Sequence, residues 1–188
     1  MVVAHECGIA DRLDLQSTTP RTIIDDVSGE NPLGQIPTLV TDEGEALFDS
    51  DVIIEYLNDI TSTGLMPGGG QDRWKVRRLQ ATGQGLITAV NQRFNEQRRP
   101  DDEQSPAWIE KKDREIRRVL DYLEAQCSAG HLADTADFGT ITVGCALSYV
   151  DLRWPEGDWM ANWSSLAAWY DRFAARPSMQ ATPLVVPG

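Results

Sequence analysis

The run Pro67-Gly68-Gly69-Gly70 constrains this chain more than any other feature. Proline lacks the N–H that helices and ladders use, and glycine loses the most conformational freedom on ordering, so the cluster ends any regular element that reaches it. Before it, short strand and helix signals alternate. After it, the hydrophobic spacing is helical throughout. The reading is an α/β domain over residues 1–65, a linker over 66–70 and an all-α helical bundle over 71–188.

In the first segment Val3 and Cys7 stand four apart on one helix face, and Gly8 followed by apolar Ile9 reads as a helix C-cap. Leu13–Gln16 alternates apolar and polar residues as a short strand does. The Thr-, Pro- and Asp-rich stretch Thr18–Pro32 holds a short irregular helix around Thr22–Val27. Ile36–Val40 and Ala46–Phe48, joined across Asp42-Glu43-Gly44, form a hairpin. Asp49-Ser50-Asp51 then caps a helix through Val52, Ile53, Tyr56 and Leu57.

Past Gly70, Trp74, Leu79, Leu86, Ile87, Val90 and Phe94 follow helical spacing up to Arg99-Pro100. Ser105-Pro106 starts the next helix, with a core stripe from Ile109 to Cys127. A third runs from about Phe138 to Asp151, and a last one begins at Ser164 or Ser165 and is stopped by Pro177.

The net charge is −12, which repels a phosphate backbone, so nucleic acid is not an expected partner. Basic residues at Lys75–Arg78 and Lys111–Arg118 are interleaved with acids, as on a helix face carrying close charge pairs. The apolar run Val143–Val150 is too short to cross a membrane, which takes about 20 apolar residues. No signal-peptide pattern stands at the start, and a cytoplasmic location follows as the expectation. Three cysteines (Cys7, Cys127, Cys145) and two distant histidines give neither a disulfide framework nor metal-ligand spacing, so no metal is expected.

Asn31-Pro32-Leu33-Gly34-Gln35-Ile36-Pro37-Thr38-Leu39, then Leu47-Phe48-Asp49-Ser50 and Ile53–Leu57, resembles the glutathione-binding half of glutathione transferases. Val143–Leu147, Asp151-Leu152-Arg153-Trp154-Pro155 and Ala167-Ala168-Trp169-Tyr170 look like the helical half of bacterial members. The resemblance covers nearly the whole chain. It implies a thioredoxin-like first domain, a homodimer, and nucleophilic attack of a glutathione thiolate on a small electrophile. By that resemblance the backbone of Ile36, before a cis Pro37, pairs with the cysteinyl part of glutathione as an added strand would. As a residue alone, Pro37 equally suits a trans bond at a sheet edge. Asp49 would meet the γ-glutamyl ammonium and Ser50 the γ-glutamyl carboxylate, at a helix start that favours anions. Read alone, the two serve as helix caps. Gln35 is either a further polar contact or a loop residue facing water.

The resemblance also implies a catalytic Ser, Tyr or Cys before the first helix, preceded by a central strand. By the resemblance the chain is expected to begin inside that helix, which implies an incomplete first domain and a catalytic residue, of unknown type, upstream of Met1. Cys7 lies at the far end of the helix and is read as core, as is Cys145. Gln84, Thr88 and Asn91, three or four apart on one helix face, are candidates for the electrophile pocket, or a solvated polar stripe. Family members often cap the helix near Asp137 with Ser or Thr followed by Asp. Here the order is reversed, Asp137 then Thr140, and the cap is expected to survive. The rival reading is a non-catalytic glutathione-fold module that binds a partner protein.

Overall fold

The computed structural model describes residues 1–19 and 22–184. They divide into two compact units, Met1–Met66 and Pro67–Gly188.

The first unit opens with α1 (Val2–Glu6). Its end is a Schellman closure: Gly8, at φ +69°, lets the Ile9 N–H reach Ala4 C=O at 3.0 Å and its own N–H reach His5 C=O at 3.0 Å. Helix α2 spans Ile23–Val27. Strands β1 (Leu39–Val40) and β2 (Ala46–Leu47) pair antiparallel, Leu39 opposite Leu47 and Val40 opposite Ala46. Helix α3 (Ser50–Thr61) follows, burying Ile53 and Leu57, and α1 packs against it.

Leu13–Gln16 is not a strand. Leu13 has extended dihedrals, but the segment has no ladder partner among the described residues, and Leu15 is 63% exposed. Alternation signals one buried face, and a strand also needs a hydrogen-bonded neighbour. The hairpin strands are shorter than expected for the same reason: only the four residues that face each other are paired.

The second unit is helical: α4 (Gly70–Gln97), α5 (Pro106–Ser128), α6 (Phe138–Arg153), α7 (Trp159–Asn162), α8 (Ser164–Ala174) and α9 (Pro177–Gln180). Apolar and small residues surround α6 on most sides, and it is the buried helix, packed against α4 and α8. Glycines set the approach. A Cβ on Gly83 of α4 would lie 2.8 Å from Thr142 Cγ2, and one on Gly144 would lie 2.7 Å from Phe173 Cδ1.

The Asp137–Thr140 cap forms as a reciprocal box. Asp137 Oδ1 accepts from the Thr140 N–H at 2.8 Å, and Thr140 Oγ1 accepts from the Asp137 N–H at 2.9 Å. The start of α8 is capped from another helix: Glu124 of α5 accepts from the Ser165 N–H at 3.1 Å and the Leu166 N–H at 2.7 Å. Burial disfavours the Glu124 charge, but the bonds from Leu166 and Ser165 outweigh it and hold the carboxyl below its usual range. Arg93 of α4 is buried and ties Asp113 of α5, Glu156 and Gln97 together, while Trp154 Nε1 donates to the same Asp113 oxygen at 3.0 Å. The charged face of α5 is only partly solvated. Lys112 is 7% exposed and lies over the Trp108 ring, with its ammonium on Glu115 at 2.7 Å.

Candidate functional site

The candidate site is built on one end of the β1–β2 hairpin. With Leu39 facing Leu47, the antiparallel register brings the residues before β1 and those after β2 to the same end. The first of these segments contains Gln35-Ile36-Pro37 and the second Asp49-Ser50. The register therefore brings two segments separated by 12 positions, Pro37 to Asp49, to one end of the hairpin.

The Ile36–Pro37 peptide is cis, and so is Phe48–Asp49. Ile36 is 57% exposed, and neither its N–H nor its C=O has a hydrogen-bond partner among the described residues. A short length of backbone thus stands open to a ligand that can pair with it as a strand does.

Asn31 holds this loop. It is 1% exposed, and its amide donates to Gln35 C=O at 2.8 Å and Thr38 Oγ1 at 3.0 Å, while its carbonyl oxygen accepts from the Leu33 N–H at 2.9 Å. Thr38 Oγ1 donates back to Gln35 C=O at 3.0 Å. Gly34, at φ +60°, closes the turn with its N–H on Asn31 C=O, and its missing side chain leaves room for Ile24 at 3.4 Å. Gln35 is anchored through its backbone, and its side chain is exposed.

Asp49 is the N-cap of α3 and accepts from the Asp51 N–H at 3.0 Å. One of its oxygens is committed to the helix and the exposed carboxylate keeps further acceptor capacity. Ser50 is the first helical residue. Its hydroxyl has no hydrogen-bond partner among the described residues, at the end of a helix that carries partial positive charge. The arrangement offers a ligand an open amide edge, a hydroxyl on a helix N-terminus, and a carboxylate.

The family model for the glutathione S-transferase N-terminal domain matches residues 1–60, and that for the C-terminal domain matches residues 106–172. The uncharacterized GST-like protein YibF of Escherichia coli (strain K12) is 32% identical over 154 residues, covering 81% of this chain and 76% of YibF. The chain belongs to the glutathione transferase superfamily. A solved glutathione transferase family member from Pseudomonas fluorescens Pf-5, with bound glutathione, is 36% identical at a TM-score of 0.91, covering 98% of this chain and 92% of the other. A glutathione S-transferase from Methylobacillus flagellatus with bound glutathione is 32% identical at a TM-score of 0.85, covering the same 98% and 92%. The transferase fold is the one the sequence predicts: a small thioredoxin-like α/β domain followed by a mostly helical one.

In this glutathione transferase homologue the thiols are poor nucleophiles where their environment can be read. Burial, with Glu124 adding to it, pushes Cys127 up to about 12, and burial raises Cys145. Both are half-buried rather than fully enclosed. Cys7 is 8% exposed, is the C-cap of α1, and has its sulfur 3.2 Å from Thr63 Oγ1. On α4, Gln84 is half-buried while Thr88 and Asn91 are exposed. Asn91 Oδ1 accepts from Tyr149 Oη of α6 at 3.3 Å and from Asn95 Nδ2 at 3.1 Å. Tyr149 reaches Asn91 only because α4 packs on α6, a contact that no spacing in the sequence announces. The sequence likewise assigns no role to Asn31, whose three loop bonds depend on a turn of the chain rather than on a pattern. Among the described residues, no helix is long and apolar enough to cross a membrane.

Proposed function

We propose that this protein binds glutathione through Gln35, Ile36, Pro37, Asp49 and Ser50 and conjugates it to small electrophiles. The observation that carries the reading is the register of the hairpin, which puts an unpaired backbone segment and a helix N-terminus with a free hydroxyl at one end. Glutathione matches those features chemically. Its cysteinyl peptide offers an N–H and a C=O for the Ile36 edge. Its γ-glutamyl carboxylate suits the Ser50 hydroxyl and helix terminus, and its ammonium suits Asp49. Family membership and the glutathione-bound solved relatives support the same ligand.

In the chemical step, the thiolate attacks the electrophilic carbon, a carbon–sulfur bond forms, and the leaving group departs with its electron pair. The protein's contribution is to hold the tripeptide and aim its sulfur. Gln84, Thr88 and Asn91 are the proposed electrophile-facing residues. A homodimer in the cytoplasm is the proposed working form.

A conjugation assay tests this, following absorbance as a chlorodinitrobenzene reacts with glutathione. Saturable, enzyme-dependent conjugation is the expected result. Glutathione binding without turnover of any aromatic or alkyl halide would instead favour the non-catalytic module.

A further inference from the structure

The second unit contains a cavity that the glutathione reading does not use. It has a volume of about 280 Å³ and lies between α6, α8 and the chain after α9. That is just below the usual range for drug-sized ligands, so it suits a compact one.

Its hydroxyl groups share one property. Ser148 Oγ donates its single proton to Gly144 C=O at 3.1 Å, so at its 2.8 Å contact with Tyr170 Oη it is the acceptor and the phenol donates. Thr182 Oγ1 donates to Ser178 C=O at 2.9 Å. All three hydroxyl protons are spent inside the protein, and lone pairs are what remain for a ligand. Asp151 adds a carboxylate with no hydrogen-bond or ion-pair partner among the described residues, and it is the only charged side chain among those lining the cavity. Burial raises the Tyr170 phenol and the Asp151 charge adds to that, against the Ser148 bond, so Tyr170 stays neutral near pH 7. The Trp159 ring meets it edge-on at 5.4 Å between centroids and fixes its direction. Leu152 and Met179 supply an apolar wall.

We propose that this cavity is a binding site for a small amphipathic ammonium. An –NH₃⁺ group has three donors and no acceptor, the complement of the Asp151 carboxylate and the hydroxyl lone pairs, while the Gln180 amide at the same cavity already donates to Ala174 C=O at 2.7 Å. It would donate to the Asp151 carboxylate and Tyr170 Oη, with its hydrocarbon part along Leu152 and Met179. A net charge of −12 draws cations toward the protein and disfavours anionic ligands here. The inference uses residues of the second unit only and stands independently of the glutathione reading.

Calorimetric titration of the full chain at low salt tests it, with phenethylammonium as the probe and phenethyl alcohol as its neutral counterpart of the same shape. The ammonium is expected to bind about tenfold more tightly or better, as a charge-assisted hydrogen bond implies. Asp151→Asn, at an exposed position with no partner to lose, removes that preference, and Tyr170→Phe weakens the ammonium several-fold. Equal affinity for the two probes, no saturable binding of the ammonium, or a preference that survives Asp151→Asn overturns the proposal.

Discussion

Gly83 of α4 and Gly85, two positions on, make a controlled pair for measuring how tightly α4 packs on α6. Gly83 is buried and Gly85 is exposed. In either place Gly→Ala relieves the helix of its poorest former short of proline, a gain of about 1 kcal/mol. At Gly85 the new methyl meets nothing within 4 Å, and the gain stands. At Gly83 it would lie 2.8 Å from Thr142 Cγ2, 2.9 Å from Thr142 C and 3.0 Å from Thr142 O. Two of those three atoms are backbone, so no side-chain rotation removes the overlap, and one helix must move. Overpacking of this kind costs about 1–3 kcal/mol. Because the backbone is involved, the upper half of that range applies, and Gly83→Ala should be about 1–2 kcal/mol less stable than the parent. The propensity gain is common to both variants, so their difference of about 2–3 kcal/mol isolates the overlap. Urea unfolding followed by circular dichroism in the far-ultraviolet helical band reads it directly, with midpoints ordered Gly85→Ala, parent, Gly83→Ala from most to least stable. A Gly83→Ala protein as stable as the parent would show that α4 and α6 are further apart than described.

Glu124→Gln removes the charged cap of α8 and should cost about 1 kcal/mol near neutral pH, within the range for lost N-caps. The folded Glu124 carboxyl is held below its unfolded value, so its contribution is present above the ordinary carboxylate range and fades as pH falls through the folded value. Thermal midpoints of parent and variant should therefore converge on acidification, and a gap that widens would contradict the assignment. Asn31→Ala leaves the Leu33 N–H without a partner, and Gln35 C=O and Thr38 Oγ1 with only each other, and should cost about 1–3 kcal/mol, with glutathione affinity falling alongside stability. Cys7→Ala should leave conjugation within a few-fold of the parent, whereas a loss on the order of 100-fold, the size seen for a nucleophile, would make Cys7 the catalytic thiol.

Features that depend on near neighbours in sequence were legible without coordinates. The Gly8 closure of α1, the Asp49 cap of α3 and the Asp137–Thr140 box each involve residues within five positions, and each formed. Contacts made by folding were not legible. Glu124 caps a helix 41 residues away, and Arg93 finds Asp113 on the next helix and Glu156 beyond it. Nothing in the spacing of one acid or one arginine announces such partners. Leu13–Gln16 failed for the complementary reason: its pattern is that of a strand, but strand formation is decided by a neighbour, and the described residues supply none. The candidate site falls between these cases. The order Gln35-Ile36-Pro37 and Asp49-Ser50 was readable as a resemblance, and the hairpin register supplies the physical reason that the two segments belong to one place.

The central claim is that glutathione is held at the end of the hairpin by the start of α3. Calorimetric titration of glutathione into the full chain and into Ser50→Ala tests it most directly. Ser50 has no hydrogen-bond partner for its hydroxyl among the described residues, so the substitution removes no internal bond described there and any change reports on the ligand. The account predicts saturable binding to the parent and a loss of about 1–3 kcal/mol in Ser50→Ala, the worth of a hydrogen bond to a charged group. A dissociation constant that is the same in the two proteins, or a parent that does not bind glutathione at all, would contradict it.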